Sequence, residues 1–303
     1  MRNKYYDVAT VREALTGYVP SIGAPFLQSG EIDYKSLKTY VDFLIESGAK
    51  ALLLTLGDSL LTILTDEEIL EMTKAVVDAA NHRAMVIGCT ERWILPQTLE
   101  FTQTCQDLGC DVMIACPPEW TGHCDKDMMK QYYQEVGKIM PTMLLSCSNG
   151  GVPVSIYDEL TPNDGIVAVK DDKAAPYGVD ALSHIRDKFA FISGGTMKFF
   201  LTHAPYGADG YLSVFARCFP QVDKLFWGAY SQGNWFEAAK VVEKYEMPFF
   251  QWCKDNGAHF DAGIRGMIEA AGLTSRYARF PYSHLNDTQM DSLRRFLAEK
   301  ELI

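Results

Sequence analysis

Ile166-Val167-Ala168-Val169-Lys170 is a short apolar run that ends on a charge. Four apolar residues in a row, three of them β-branched, read as a strand buried on both faces. Strand alternation places Ile166, Ala168 and Lys170 on one face and Val167 and Val169 on the other. Similar runs lie on either side. Thr142 to Cys147 (TMLLSC) precedes it and Phe189 to Ser193 (FAFIS) follows. Further toward the N-terminus come Asp111 to Cys116, Met85 to Cys89, Ala51 to Gly57 and Tyr18 to Phe26. Toward the C-terminus comes Tyr211 to Phe215.

Amphipathic segments of helical period separate these runs. Tyr34 to Ser47 gathers Leu37, Tyr40, Val41, Phe43 and Leu44 on one face. Thr65 followed by Asp66, Glu67 and Glu68 reads as an N-cap with acids in the first turn, opening a helix that runs to Ala80. Pro96 to Leu108 and Lys126 to Ile139 continue the pattern. Parallel strands need long crossovers, and eight strand–helix units favour closure. The expected fold is therefore an α/β (β/α)8 TIM barrel over residues 1–230. An open doubly wound sheet is the alternative, but no GxGxxG follows the first strand, so a dinucleotide site has no support. After the eighth strand only helical signals occur: Gln221 to Tyr230, Trp235 to Asp255, Ala262 to Ala271 and Asp287 to Glu301. They read as the last barrel helix and a C-terminal helical domain over 231–303.

The chain has 303 residues and a formal net charge of −11, which argues against nucleic acid and anionic membranes as partners. No stretch is apolar enough over its length to span a bilayer, and the start, MRNKYYDVAT, lacks an apolar signal core. Eight cysteines without a CxxC pair read as buried free thiols in a reducing, cytoplasmic setting. Cys116, His123 and Cys124 come nearest to a metal cluster but lack a partner pair.

Chemistry in a barrel gathers at the C-terminal ends of the strands, where Lys170 falls. If its side chain points into the barrel mouth, desolvation favours the neutral amine, which is the form that attacks a ketone. Asp171 and Asp172 follow at once and oppose that effect if close and ionised. A lysine after an apolar strand also commonly snorkels to the surface. Spacing alone leaves both readings open.

Further motifs narrow the choice. Pro25-Phe26 with Gly30-Glu31-Ile32-Asp33 leads the series, followed by Phe43-Leu44-Ile45-Glu46-Ser47-Gly48-Ala49 and Leu64-Thr65-Asp66-Glu67-Glu68. Val167-Ala168-Val169-Lys170-Asp171, Ser193-Gly194-Gly195 and Gly207-Ala208-Asp209-Gly210 complete it. In this order and spacing the chain resembles the dihydrodipicolinate synthase / N-acetylneuraminate lyase family of class I aldolases. The resemblance extends over nearly the whole chain. It implies a homo-oligomer, tetramer or dimer, and a reaction with no metal or organic cofactor. It also implies a small 2-keto acid substrate, such as pyruvate, held as a Schiff base on Lys170.

Three departures from the family pattern follow. Its G-T-T-G-E loop after strand two corresponds to Leu54-Thr55-Leu56-Gly57-Asp58, so Thr55 keeps a hydroxyl and Leu56 loses one. Its Y-N-x-P motif corresponds to Leu145-Ser146-Cys147-Ser148, where the tyrosine position is Leu145 or Ser146 depending on register and no tyrosine is present. Its aromatic loop after strand four reads Pro117-Pro118-Glu119-Trp120. The proton relay therefore needs another group. Ser146 and Glu119 are the expected candidates, with Tyr157, Tyr177 and Tyr211 behind them. Thr55 and the backbone near Gly57 are expected at the carboxylate, Asp58 among the substrate-binding residues as the loop's acid, and Gly194 and Leu212 at the pocket wall. The expected function is a Schiff-base lyase acting through Lys170. The rival readings are a keto-acid-binding relative without turnover, and a barrel of unrelated chemistry in which Lys170 is only a charge.

Overall fold

Strands buried on both faces need helices on one side and a filled interior on the other, and the chain folds that way. The computed structural model describes residues 3–90, 94–117, 124–147, 152–173 and 176–303. The elements begin with α1 (Val8–Leu15), β1 (Gly17–Pro20), α2 (Tyr34–Glu46), β2 (Ala51–Leu53), α3 (Asp66–Ala80) and β3 (Met85–Thr90). Then come α4 (Leu95–Asp107), β4 (Val112–Ala115), α5 (Lys126–Ile139), β5 (Thr142–Ser146), α6 (Val154–Tyr157) and β6 (Ile166–Asp171). The barrel ends with α7 (Tyr177–Ile185), β7 (Ala190–Ser193), α8 (Met197–His203) and β8 (Gly210–Ser213). Five helices follow: α9 (Pro220–Ser231), α10 (Trp235–Val241), α11 (Met247–Asp255), α12 (Phe260–Ala270) and α13 (Asp287–Glu299).

The strands run parallel in the order β1-β8-β7-β6-β5-β4-β3-β2. A bridge between Ser21 and Leu53, with Ile22 N–H donating to the Leu53 carbonyl at 2.9 Å, joins β1 to β2 and closes the ring. This is a (β/α)8 TIM barrel followed by C-terminal helices. The strands are short. Pro20 has no N–H to give to a ladder and ends β1, so the expected run to Phe26 stops early. Ala51–Leu53 likewise yields to a tight turn around residues 56–60.

Helix starts follow local chemistry. The cap expected at Thr65 is a full capping box: Glu68 N–H donates to Thr65 Oγ1, and Thr65 N–H donates to the Glu68 carboxylate. Four helices, α1, α6, α7 and α8, have no counterpart in the sequence reading. Met197–His203 spans only seven residues, too few for a period to show. The run Trp235–Asp255 is continuous but carries a π-turn at Val242–Glu246. Pro248 has no N–H for the preceding turn, and the wider turn absorbs that loss.

Register decides which side chains reach the interior. Leu145, Lys170 and Ile192 are partners across β5, β6 and β7, and so are Ser146, Asp171 and Ser193. Partners in a parallel ladder face the same side. Asp171 lies against His203 of α8 and the Cα of Gly178 of α7, on the helix side. Lys170 therefore faces inward. Phe200 of α8 packs on Tyr211, Phe226, Trp227 and Tyr230, with ring centroids 4.9 to 6.1 Å apart. Burying each such ring contributes about 1.5–3 kcal/mol and fixes the β8 end of the barrel against α9. The aromatic group of α11 and α12, Phe249, Phe250, Trp252 and Phe260, packs on itself in the same way. That packing brings Phe260 and Ile264 of α12 over the barrel mouth. Among the described residues no helix is long and apolar enough to cross a membrane.

Candidate active site

A cavity of about 120 Å³ opens at the C-terminal ends of the strands. Lys170 forms part of its floor. Thr55, Gly57 and Asp58 enter from the turn after β2, Gly194 and Gly195 from the end of β7, and Leu212 to Val214 and Arg217 from β8 and its following turn. Six residues expected from sequence, Lys170, Thr55, Gly57, Asp58, Gly194 and Leu212, thus share one cavity.

The Lys170 side chain is 2% exposed, which excludes a lysine that snorkels to the surface. Its Nζ lies 2.5 Å from both carboxylate oxygens of Asp172. Asp172 stands just past the strand. Its N–H donates to the Ser146 carbonyl at 2.7 Å, and Gly194 N–H donates to the Asp171 carbonyl at 2.7 Å. Neighbouring strands therefore hold the backbone on which the pair depends. A Cβ on Gly194 would fall 1.6 Å from Asp172 Oδ1, so the carboxylate occupies space that only glycine leaves open. Although the Asp172 side chain is 30% exposed, desolvation among the packed strand ends holds its carboxyl above the ordinary carboxylate range, against the pull of the Lys170 ammonium.

Arg217 is the second cation of the cavity. It is buried, its Nε has no partner among the described residues, and its Nη1 stands 3.8 Å from Asp58 Oδ1, beyond hydrogen-bond range. Asp58 Oδ2 instead accepts from Ser21 Oγ at 2.8 Å. Tyr40 fixes the Arg217 backbone by donating to its carbonyl at 2.9 Å. In the turn after β2, Ser59 Oγ accepts from Thr55 N–H at 2.9 Å. Four charges of alternating sign, Lys170, Asp172, Arg217 and Asp58, thus surround a small volume.

Ser146 does not reach the cavity. It shares register and facing with Asp171, on the helix side of β5. There its hydroxyl meets Tyr157 OH at 3.2 Å and Tyr177 OH at 2.8 Å, and Tyr177 OH donates to the Val152 carbonyl at 2.5 Å. The expectation of Ser146 as the relay is corrected by strand parity: the inward position in that segment is Leu145, which has no proton to move. Tyr157 and Tyr177 belong to the same outward cluster. Tyr211 also faces the helices and donates to Asp223 at 2.7 Å. Glu119 lies outside the described residues. Cys89 and Cys116 are buried with sulfurs 3.7 Å apart, while Cys124 is exposed, against the expectation that every thiol is buried.

Behind the lysine lies a second polar group. Asp171 Oδ1 accepts from Lys173 N–H at 3.0 Å, whereas Oδ2 has no hydrogen-bond partner among the described residues and stands 3.9 Å from His203 Nε2. His203 Nδ1 meets Ser193 Oγ at 3.0 Å. Burial pushes the Asp171 carboxyl up to about 6 and His203 down.

Sequence reasoning missed Arg217 and treated Asp172 only as an opposing charge. A signal for Arg217 was present. It is the one charge in the apolar run Tyr211 to Phe219, immediately after a strand whose C-terminal end borders the site.

A sequence profile of the Dihydrodipicolinate synthetase family matches residues 14–300. The chain belongs to that family. Among curated proteins the chain is similar to the 4-hydroxy-tetrahydrodipicolinate synthase of Staphylococcus haemolyticus, 26% identical over 71% of this chain and 74% of its own length. The probable 5-dehydro-4-deoxyglucarate dehydratase of Bacillus subtilis is 22% identical over 90% of each chain. Among solved structures, dihydrodipicolinate synthase from Oceanobacillus iheyensis superposes with a TM-score of 0.84 at 21% identity, covering 97% of this chain and 99% of that one. A prophage protein of the dihydrodipicolinic acid synthase family from E. coli K12, in complex with pyruvate, gives 0.82 at 19% identity over 95% and 99%. At such identities the structural likeness establishes the fold alone.

Proposed function

We propose that the chain is a class I lyase that binds pyruvate or another 2-keto acid as a Schiff base on Lys170. The observation that carries this reading is the inward-facing, buried Lys170 on the floor of a cavity that also holds Thr55, Gly57 and Arg217. Lys170 is the nucleophile. Thr55 Oγ1, the backbone at Gly57 and the Arg217 guanidinium take the substrate carboxylate, and Gly194 and Leu212 shape the wall around the reacting carbon. A cavity of about 120 Å³ suits a three-carbon keto acid, and the relative from E. coli K12 was solved with pyruvate. The relatives' names include a synthase and a dehydratase, two outcomes open to a common imine. A homo-oligomer is part of the same proposal, on family grounds.

A second reading, a keto-acid-binding relative without turnover, is favoured by one observation: both carboxylate oxygens of Asp172 hold the Lys170 ammonium. Incubation with pyruvate and borohydride, followed by intact mass and peptide mapping, tests the first step. An adduct on Lys170 that Lys170→Ala abolishes is the expected result. No adduct with pyruvate or with longer 2-keto acids would sink the Schiff-base reading.

A further inference from the structure

We infer that Asp172 is the group that moves protons at Lys170, taking the place of the tyrosine absent from strand five. This rests on the Schiff-base reading. The argument is one of position. Asp172 is the carboxylate in contact with the reacting nitrogen, at 2.5 Å from both oxygens. Its carboxylate also lines the cavity, so it can reach a carbon or oxygen bound to that nitrogen. Every tyrosine considered from sequence lies on the far side of the sheet. Tyr157 and Tyr177 bond Ser146, and Tyr211 bonds Asp223. The groups that face Asp172 are Lys170 on its own strand, Asp58 from the turn after β2, and Arg217 from the turn after β8, which line the same cavity. Desolvation raises the Asp172 carboxyl above the ordinary range, the direction that suits a group exchanging protons near neutral pH.

The steps balance. Asp172 takes one proton from the Lys170 ammonium, leaving a neutral amine. The nitrogen lone pair forms a bond to C2 of the keto acid, and the carbonyl π electrons move to oxygen. Asp172 gives its proton to that oxygen and takes one from the new nitrogen cation, which yields a neutral carbinolamine and a protonated Asp172. The carboxyl then protonates the hydroxyl. Water leaves with the C–O bonding pair as the nitrogen lone pair closes the C=N bond. The products are a protonated imine, water and an Asp172 carboxylate. That carboxylate is then placed to take a proton from C3. The C–H electrons form the enamine double bond, and the imine π electrons return to nitrogen. No oxidant, reductant or further reactant is needed.

The experiment measures the rate of pyruvate imine formation by timed borohydride quench and intact mass, from about pH 5 to 9. It uses the full chain, Asp172→Asn and Asp172→Ala, with and without added formate, and thermal melts report folding. We expect both variants to fold and to trap pyruvate about 10²–10⁴-fold more slowly, the usual worth of a positioned acid–base group. Formate should restore part of the rate in Asp172→Ala, where it fits the vacated space, and little in Asp172→Asn. The wild type is expected to lose rate at acid pH, and this acid limb should be displaced in Asp172→Asn. Variants that trap as fast as wild type or faster would overturn the inference and make Asp172 a restraint on the amine. Slow variants that formate does not rescue, and that keep the wild-type acid limb, would also overturn it. They would assign Asp172 to positioning Lys170. If the wild type forms no adduct at all, the Schiff-base reading itself fails, a result distinct from either of these.

Discussion

Ser146 stands opposite Asp171 in the register of β5 against β6, and Leu145 stands opposite Lys170. One residue of offset sends the serine hydroxyl to the helix layer, into a closed triangle with Tyr157 and Tyr177. Ser146→Ala is therefore expected to trap pyruvate on Lys170 at the wild-type rate. It should cost stability, since the buried Tyr157 and the half-buried Tyr177 lose a partner, by roughly 1–3 kcal/mol. Borohydride trapping alongside a denaturant titration checks both halves. A variant that stays stable but no longer traps would return Ser146 to the chemistry.

Among the described residues Arg217 Nε has no hydrogen-bond partner, and the guanidinium faces a cavity that already contains an ion pair. If it receives the substrate carboxylate, its worth is that of a charge-assisted hydrogen bond, about 1.5–3 kcal/mol. Arg217→Gln should raise the half-saturating pyruvate concentration by roughly 10- to 100-fold. Methyl pyruvate, which has no carboxylate, should bind the variant and the wild type alike. Arg217→Lys should fall between, because an ammonium cannot match the two oxygens with a planar fork. Equal losses for acid and ester would show that Arg217 supports the site without touching the carboxylate.

The barrel was legible in sequence because each strand is an apolar run bounded by polar turns, and because the box at Thr65 and the charge at Lys170 punctuate the pattern. Six residues lining the cavity from the β2 turn, β6, β7 and β8 were legible for a related reason. Sites lie at strand ends, and strand ends can be counted. What could not be read was direction over one residue. Ser146 and Leu145 differ only in parity, and although Pro141 marks where β5 begins, nothing local announces the register shift between Thr142 and Met143. Asp172 was visible as a charge, but only the backbone path past β6 shows whether it turns toward Lys170 or away. Phe260 and Ile264 reach the cavity from some ninety residues downstream of Lys170. No local pattern encodes that contact, because it depends on how the C-terminal helices dock.

Docking of those helices runs partly through Glu246. Its carboxylate accepts from the N–H groups of Met197 at 2.9 Å and Lys198 at 3.0 Å, at the start of α8. Burial pushes this carboxyl up to about 7, more than the helix N–H donors pull it down. The folded chain therefore holds the proton more tightly than the unfolded one. The stability this gives is full below the ordinary glutamate range and is lost as pH rises toward 7. A displacement from 4.5 to about 7 corresponds to roughly 3 kcal/mol. Asp171 and Asp223, each pushed up to about 6 by burial, act in the same direction. The melting temperature should fall between pH 5 and 8, and the slope should flatten in Glu246→Gln, whatever that variant's absolute stability. A variant slope equal to that of the wild type would remove Glu246 as the source.

Gly194 offers a way to move Asp172 without changing its chemistry. A methyl at this position would fall 1.6 Å from Asp172 Oδ1 and 2.7 Å from its carboxyl carbon. The carboxylate is the end of a short flexible side chain and can swing aside, whereas the Asp171 carbonyl, 2.8 Å from the same point, is held by the ladder. Gly194→Ala is thus expected to fold, with a modest loss of stability of about 1–3 kcal/mol from crowding. It should separate Asp172 from Lys170. If the carboxylate acts where it now stands, imine formation in Gly194→Ala should slow as it does in Asp172→Asn, and the double variant should be no slower than either single one. Two changes that act through one contact do not add, while two that act independently do. An additive double variant would mean that Gly194 shapes the cavity for the substrate directly, and that the Lys170–Asp172 contact is not what its missing side chain protects.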